Sequence, residues 1–519
     1  MSLHLTKKHI LKKTALVSML TLLSRMLGVV REFLMVRYLS VGAISDAFVA
    51  AFKFPNFFRH IFAEGALGAS FVPAIVKTVR EGNREEANGL MTISFLFFEG
   101  IVLLMYVFVL LKPDWVLLIL APGFSPEQVA YARPFLRILF SFLFFISSSA
   151  LLAGALNSVN HFFIPAFGTP LWNIVYIITL LLCLAYALPP TYLCVGVIVG
   201  ALCLFLAHLI TFFKYHFTFG QITPGARAAF RQVLTKFLPC LFGVSVVEIN
   251  LFVSGSIASF LPKGEMTLLY YSSRFMNIPL GMFAVALSSV MLSHFSRLVL
   301  YAPRRLNFYL LEVAKFVTWI ILPAMLYLMF VSDELFAMLL GNKATPALAQ
   351  QGSLLLLLYC TGLLFLCLNK ILLSMFYALK DTWSTTIAAA ICASINIGCD
   401  LVSLKYFGSY GIALSNTISA LVMTCIALTF LDKRHRIAFY FGRYFGFLSR
   451  YLLQLTAGVL LFLAGLRGTQ ALFALWGKGH WIAHGLGFWA TTGFLAGSLM
   501  IVLFLTRRAC GLETYFLKK

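Results

Sequence analysis

The sequence predicts an all-α polytopic membrane protein with about 14 transmembrane helices. Its 519 residues are 61% hydrophobic and only 11% charged, whereas soluble domains carry about 25% charged residues. The apolar segments are long and unbroken, which is typical of spanning helices and not of the short alternating strands of outer-membrane barrels. The composition therefore excludes a soluble enzyme, a disordered chain and a fibrous repeat.

Fourteen apolar segments are each long enough for the roughly 20 residues that cross a bilayer as a helix. The predicted spans are 14–39, 46–77, 88–111, 133–157, 160–187, 191–213, 237–261, 266–296, 307–331, 350–378, 382–406, 409–431, 447–467 and 481–506.

The connecting segments predict the orientation. If the N-terminus is cytoplasmic, the termini and cytoplasmic loops hold 24 Lys and Arg residues and the opposite loops hold 7. Cytoplasmic loops are the ones enriched in Lys and Arg. The sequence therefore predicts that both termini are cytoplasmic.

The formal net charge is +22, and loops do not account for all of it. A charge at the centre of a spanning helix costs about 2.5–3.5 kcal/mol on insertion scales, so such residues normally face a cavity or a partner. Arg37, Arg137 and Lys315 lie near span ends, where they are expected to extend to the interface. The nine basic residues in predicted spans are Arg25, Arg31, Arg37, Lys53, Arg59, Arg137, Arg274, Lys315 and Lys370.

Most of this polarity lies in the first two spans, where basic residues outnumber acids. Guanidinium forks suit phosphate oxygens, so the pattern favours a cationic cavity for a phosphate or diphosphate. The alternative is structural pairing, of Arg31 with Glu32 or Asp46 and of Arg59 with Glu64. Pro55 removes a helical hydrogen bond and predicts a kink in the second span.

A weak internal repeat is also visible. Ala155-Leu156 and Asn173-Ile174 recur, at one constant offset along the chain, as Ala378-Leu379 and Asn396-Ile397. This offset relates the fourth span to the tenth, which is the pattern of parallel repeats in two-lobed transporters.

The first two spans contain four polar blocks: Ser24-Arg25-x-x-Gly28-x-x-Arg31-Glu32, Asp46-Ala47-Phe48, Phe52-Lys53-x-Pro55-Asn56-x-x-Arg59 and Phe62-Ala63-Glu64-Gly65-Ala66. These blocks resemble the signature of the MurJ/MviN lipid II flippase family. Looser matches follow at Ala155-Leu156-Asn157, Ser273-Arg274 and Phe376-Tyr377-Ala378-Leu379-x-Asp381-Thr382, and the resemblance covers nearly the whole chain.

The resemblance implies a flippase of the multidrug/oligosaccharidyl-lipid/polysaccharide exporter superfamily. It would carry undecaprenyl-pyrophosphate-linked peptidoglycan precursor from the inner to the outer leaflet of the bacterial inner membrane by alternating access. It implies lobes at residues 1–220 and 221–435 around a central cavity, and a helix pair at 436–519 that forms a lipid-tail groove.

By the same resemblance, Arg25, Arg31, Arg59 and Arg274 are the expected substrate-binding residues. The expected supporting or gating residues are Ser24, Gly28, Glu32, Asp46, Lys53, Pro55, Asn56 and Glu64. The chain departs from the family pattern at Ser273, Asn277 and Ser374, so we expect the second-lobe gate to pair differently.

A second polar cluster is predicted from residue spacing. Asn396 and Asp400 are one helical turn apart in an apolar helix and so share a face, and hard cations favour oxygen ligands. The candidate monovalent-cation residues are Glu248, Asn250, Asn396, Asp400 and Asn416; hydrogen bonding between helices is the alternative role. Transport could draw on such a cation or on the membrane potential.

The expected partners are lipid II, membrane lipids and other peptidoglycan-synthesis proteins, with no nucleic acid, no cofactor and no metal, and the expected state is a monomer.

Other functions predict other patterns. A polysaccharide or O-antigen flippase would lack the Asp46-Ala47-Phe48 and Phe62–Ala66 blocks, and a drug-cation exporter should have an acidic cavity. A polyprenyl-phosphate transferase would need clustered carboxylates with a metal, and the spans contain no such cluster, so no catalytic residue is expected.

Overall fold

The computed structural model describes residues 7–60, 66–81, 83–341, 345–475 and 485–513, which are overwhelmingly α-helical. By packing, the chain divides into two compact units, Met1–Thr267 and Leu268–Lys519. The three-part division at residues 220 and 435 stays a prediction. The helix that follows residue 220 packs against helices of the first unit.

Apart from the short helix Pro113–Leu120, which lies between the predicted spans 88–111 and 133–157, each helix of the first unit matches a predicted span or part of one. The helices of this unit are α1 (Lys7–Leu39), α2 (Ala43–Arg59), α3 (Ala66–Arg80), α4 (Arg84–Leu111), α5 (Pro113–Leu120), α6 (Pro126–Ser158), α7 (Phe163–Ala185), α8 (Pro190–Lys214) and α9 (Pro224–Ala258). Side-chain oxygens cap three of the helix starts: Asn83 accepts from the Glu86 amide, Ser125 from Gln128 and Thr223 from Ala226. Such caps satisfy amides that have no partner within the helix.

The second unit begins within the first turn of α10. Its helices are α10 (Glu265–Pro279), α11 (Val285–Tyr301), α12 (Leu306–Phe330), α13 (Ser332–Leu340), α14 (Pro346–Thr361), α15 (Leu363–Ala378), α16 (Thr382–Tyr406), α17 (Gly408–His435), α18 (Phe441–Leu475) and α19 (Gly485–Leu505). A π-helical turn at Leu280–Ala284 joins α10 to α11. It directly follows Pro279, which has no amide hydrogen to continue the regular ladder.

The prediction of an all-α polytopic membrane protein is confirmed. Among the described residues, eleven helical segments are long and apolar enough to cross a membrane. The other three predicted spans correspond to α1, to α2 with α3, and to α9. Within the second predicted span, 46–77, the described residues form α2 and α3, and α2 continues through Pro55 to Arg59.

The two units repeat the same backbone turns. Residues with positive φ end hairpins at Asn160, Ala187 and His216 in the first unit and, in the same order, at Lys380, Gly408 and Arg436 in the second. An equivalent backbone hydrogen bond closes the first of these turns in each unit. The amide of His161 donates to the Leu156 carbonyl, and the amide of Asp381 donates to the Phe376 carbonyl.

The structural repeat therefore pairs Asn160 with Lys380, at the ends of the fourth and tenth predicted spans. The offset predicted from sequence would instead pair Asn160 with Trp383, about one helical turn further along the chain, and that offset is wrong. A shift of about one turn places apolar residues on nearly the same helix face. Chance matches between apolar helices therefore arise at such a shift.

In each unit, side chains also connect the first and the third of these turns. In the first unit, Nδ1 of His161 lies 2.8 Å from the hydroxyl of Tyr215. In the second, Nε2 of His435 lies 2.7 Å from Oδ2 of Asp381. His161 and Asp381 each directly follow a paired turn residue, and Tyr215 and His435 each directly precede one. We call these two contacts the first and second turn clamps.

Candidate functional site

Arg31, a predicted substrate-binding arginine, has only 13% of its side-chain surface exposed. Its Nη2 donates to Oε1 of Glu32 at 2.6 Å and its Nη1 to Oδ1 of Asn173 at 2.9 Å. The guanidinium carbon lies 5.0 Å from the centre of the Trp172 ring and 5.2 Å from that of Tyr176. These partners join α1 to α7. They also stabilise the positive charge of Arg31, which would be costly inside a membrane without them.

Asn173 connects this arginine to a second predicted residue. Its amide nitrogen lies 3.2 Å from both the carbonyl oxygen and the hydroxyl of Ser24, which precedes Arg31 on α1. The structure therefore brings Ser24, Arg31 and Glu32 together around Asn173. Of the two predicted partners of Arg31, the structure shows its neighbour Glu32; Asp46 lies in a different cluster.

Arg25 has a different environment on the same helix. The residue is exposed, and it makes no hydrogen bond or ion pair with the part of the chain that the structure describes. Gly28, between Arg25 and Arg31, has open space where a side chain would begin. This segment of α1 thus offers one guanidinium already engaged and one available to a ligand.

Arg59 lies in the last turn of α2, and its Nε donates to Oδ1 of Asn56 at 2.8 Å. Its Nη2 lies 3.1 Å from Nε2 of His60. Glu64, the predicted partner of Arg59, lies outside the described residues. Lys53, earlier on α2, has its Nζ 1.5 Å from the point where a Cβ on Gly255 of α9 would lie, so this lysine packs directly against the α9 backbone.

Asp46 is buried, with 1% of its surface exposed, and it joins α2 to two other elements. Oδ1 accepts from the Thr267 hydroxyl at 2.6 Å and the Thr267 amide at 3.0 Å, and Oδ2 from the Gly264 amide at 2.6 Å and Gln128 Nε2 at 3.2 Å. The two amides belong to the start of α10, so Asp46 caps this helix from another part of the chain. An anion there also complements the helix dipole.

Gly264 has φ +94°, and a Cβ on it would lie 2.8 Å from Cγ1 of Val41. A side chain would therefore be both strained and crowded at this position. This glycine allows the chain to enter α10 with its amide aimed at Asp46.

Arg274 lies on α10 in the second unit, where its guanidinium carbon is 4.9 Å from the centre of the Tyr270 ring. The three departures from the family pattern bond to nearby carbonyls. The Ser273 hydroxyl donates to the Tyr270 carbonyl, the Asn277 amide to the Ser273 carbonyl and the Ser374 hydroxyl to the Ile371 carbonyl. These side chains are therefore engaged by their own helices.

The predicted cation residues fall in both units. Glu248 and Asn250 lie on α9 of the first unit, and Asn396, Asp400 and Asn416 on α16 and α17 of the second. Asn396 and Asp400 are both buried, and Asp400 is close enough to Tyr359 of α14 to interact with it electrostatically. The cation site stays a prediction.

The second unit contains an apolar cavity of about 250 Å³ against the C-terminal helices. Side chains from α12, α18 and α19 form most of its lining. They include Ile320, Tyr327, Phe330, Leu455, Phe462 and Met500. Such a lining suits a hydrocarbon chain.

Sequence reasoning missed several polar residues. Gln128 and Thr267 carry no local pattern that links them to Asp46. Asn173 stands out in the sequence only as part of a repeat, and its contact with Arg31 spans 142 residues. Glu99 does carry a signal, because it is the single acid of the predicted third span.

Solved structures of other membrane proteins share the fold of this chain. A multidrug resistance MATE family transporter of the MOP superfamily, in an inward-facing conformation, superposes with a TM-score of 0.66 over 80% of this chain and 94% of that chain, at 17% identity. At this identity the likeness is one of fold alone.

Sequence comparison identifies the family. The family "Lipid II flippase MurJ" matches residues 35–483. A probable lipid II flippase MurJ of Vibrio cholerae is 31% identical over 433 residues, covering 80% of this chain and 81% of that protein. The lipid II flippase MurJ of Burkholderia cenocepacia is 28% identical, with 80% and 83% covered.

A solved structure agrees with this assignment. The lipid II flippase MurJ in an inward closed conformation matches with a TM-score of 0.78 and 25% identity, covering 95% of this chain and 99% of that chain. The chain belongs to the MurJ lipid II flippase family.

Proposed function

We propose that this protein is a lipid II flippase of the bacterial inner membrane, which moves the lipid-linked peptidoglycan precursor from the cytoplasmic to the outer leaflet. The observation that carries the proposal is the match of the lipid II flippase family to residues 35–483. The protein acts as a transporter and not as an enzyme. It works as a monomer, alongside other peptidoglycan-synthesis proteins.

The physical task is to move a diphosphate, sugars and a peptide through about 30 Å of hydrocarbon. A cavity that opens first to one side and then to the other avoids exposing the charged headgroup to lipid. A ligand that makes better contacts in one conformation shifts the population towards it. Diphosphate bound by arginines is such a ligand, because each guanidinium can hold two oxygens at once.

Within the first unit, Arg25 and Arg31 divide this work. Arg25 has no partner among the described residues and meets the diphosphate first. Arg31 is held by Glu32 and Asn173, so it must exchange these partners for phosphate oxygens. That exchange makes its contribution depend on conformation. The roles of Arg59 and Arg274 in binding rest on the family resemblance.

The polyprenyl chain can remain in lipid or in an apolar groove while the headgroup crosses. The apolar cavity against α18 and α19 supports a site for part of this chain, as proposed for residues 436–519. The excess of Lys and Arg in alternate loops, 24 against 7, supports cytoplasmic termini.

The return of the empty protein carries a positive cavity across the membrane field. Moving one charge through 100 mV is worth about 2.3 kcal/mol, so the membrane potential is a sufficient driving force. A monovalent cation bound near Asn396 and Asp400 is the second proposed source of energy.

Depletion of the protein in its native cell tests the function, with lipid II quantified separately in each leaflet. We expect precursor to accumulate in the inner leaflet. Unchanged delivery to the outer leaflet, in a cell with no other flippase, would contradict the proposal.

Single substitutions test the arginine site. We expect Arg25→Ala and Arg31→Ala to reduce flipping at least tenfold, since a lost charge-assisted contact is worth about 1.5–3 kcal/mol, and Arg59→Ala to reduce it as well. Arg25→Lys should recover only part of the activity, because lysine lacks the planar fork. Arg137→Ala is the matched control: this arginine is exposed on a spanning helix, and its loss should leave flipping unchanged. Normal flipping by all three alanine variants would refute the site.

A further inference from the structure

Glu99 is a carboxyl group buried inside the first unit, at a point that the flippase mechanism does not use. It lies near the middle of α4, and only 4% of its surface is exposed. Phe98 and Val102 on the same helix are also buried. An isolated carboxylate in such a place would carry a large desolvation cost.

No cation offsets that cost among the described residues. The helices that pack against α4 are α3, α5, α6 and α9, and none of their charged side chains forms an ion pair or an electrostatic contact with Glu99. The charged residues on these helices are Lys77, Arg80, Asp114, Glu127, Arg133, Arg137, Arg227, Arg231, Lys236 and Glu248, and those on α4 itself are Arg84, Glu85 and Glu86 in its first turn.

The neighbours of the carboxyl group are hydroxyls of α6. Oγ of Ser147 lies 2.6 Å from Oε1 of Glu99 and also 2.9 Å from the Leu143 carbonyl and 3.2 Å from the Phe144 carbonyl. The hydroxyl of Ser148 is a second neighbour. Both serines are completely buried.

Proton counting distinguishes the two states of Glu99. The Ser147 hydroxyl has one hydrogen, and the oxygens around it are all acceptors if Glu99 is ionised. Only one of the contacts of the Ser147 hydroxyl can then be a hydrogen bond. If Glu99 carries a proton, Oε1–H donates to Ser147, and Ser147 donates in turn to the Leu143 carbonyl, so both short contacts are satisfied.

A metal ion fits this place less well than a proton. A hard cation needs about six oxygen ligands, whereas one carboxyl group and two hydroxyls are present here. Across the residues that the structure describes, no group of three or more His, Cys, Asp or Glu side chains could hold a metal ion.

We propose that Glu99 is a proton-binding site within the membrane, whose bound proton makes the hydrogen bond that joins α4 to Ser147 of α6. The proton remains bound throughout transport. Its release leaves a bare charge in the α4–α6 interface and loosens the first unit.

Infrared difference spectroscopy of the purified protein tests the protonation directly. The wild type minus Glu99→Gln should show the carbonyl band of a protonated carboxylic acid at neutral pH. Ser147→Ala should shift this band to the frequency of a non-hydrogen-bonded acid. Ser149→Ala is the matched control, because that hydroxyl donates to the Phe145 carbonyl of its own helix; it should leave the band in place. Absence of the acid band would overturn the proposal.

Stability against pH gives a second readout. The folded state holds this proton more tightly than the unfolded chain does, so stability should fall as pH rises above the ordinary glutamate pKa of about 4.3. We expect the wild type to lose several degrees of Tm relative to Glu99→Gln over that range. Equal losses of Tm in both proteins as pH rises would contradict the proposal.

Transport by the glutamine variant tests whether the proton stays bound. The amide of Glu99→Gln keeps a donor and an acceptor without charge, so this variant should flip lipid II at the wild-type rate. A folded Glu99→Gln protein without flipping would overturn the claim of a permanently bound proton. The spectroscopic readouts need no transport, so they remain decisive if the proposed function itself fails.

Discussion

The two turn clamps occupy equivalent positions but use different chemistry. The first joins the ring of His161 to the hydroxyl of Tyr215. The second joins a carboxylate, Asp381, to His435, and the same carboxylate caps α16 through the amide and hydroxyl of Ser384. The repeat thus preserves the positions of the two contacts, whereas the side chains that form them differ between the units.

In the second clamp, a single side chain makes most of the contacts. Asp381 accepts three hydrogen bonds from two helices, and Arg434 lies 4.0 Å from it and donates to Ser384. In the first clamp, the contacts are shared among several groups, since Arg84 separately donates to the backbone carbonyl of Tyr215. Loss of one side chain should therefore cost the second unit more than the first.

The largest effect is expected from Asp381→Ala. It removes a helix cap worth about 1 kcal/mol and a bond to His435, so we expect the free energy of unfolding to fall by about 2–3 kcal/mol. Thermal or denaturant unfolding in detergent measures it. Asp432→Ala is the matched control, because this nearby acid is exposed and its side chain makes no hydrogen bond or ion pair with the described residues. Equal losses in the two variants would show that the clamp does not stabilise the unit.

How far the sequence predicts such features depends on their range along the chain. The spanning helices are set by local apolar length, and each predicted span overlaps one or two of the observed helices. Asp381 belongs to a family motif, yet its contact with His435, 54 residues away, follows from no local pattern. The contacts of Asp46 with Gly264 and Thr267 span 218 and 221 residues, so only the fold brings them together.

Tyr215→Phe should have a smaller effect on the first clamp. It deletes the hydroxyl that meets His161 and keeps the ring contact, whose centroids are 4.8 Å apart. A single neutral hydrogen bond is worth about 1 kcal/mol, and we expect that loss by the same unfolding measurement. The Arg84 contact to the Tyr215 backbone is retained in this variant. A loss as large as that of Asp381→Ala would remove the proposed difference between the clamps.

The smallest expected effect is an acid-dependent one, confined to the second clamp. Burial tends to raise the pKa of Asp381, but hydrogen bonds from Ser384 and His435 outweigh it and hold the pKa at about 2. The carboxylate is therefore more stable in the folded protein than in the unfolded chain. Its contribution is complete above the ordinary aspartate pKa of about 3.9 and is lost as pH falls towards 2.

Unfolding of the wild type and of Asp381→Asn, followed from neutral to acid pH, measures this contribution. The wild type should lose its advantage over Asp381→Asn in the acid range, and Tyr215→Phe should follow the wild-type pH profile because the first clamp has no carboxylate. Parallel acid profiles for the wild type and Asp381→Asn would mean that the charge on Asp381 contributes nothing to the second clamp. Its role would then reduce to the neutral hydrogen bonding that the first clamp already shows.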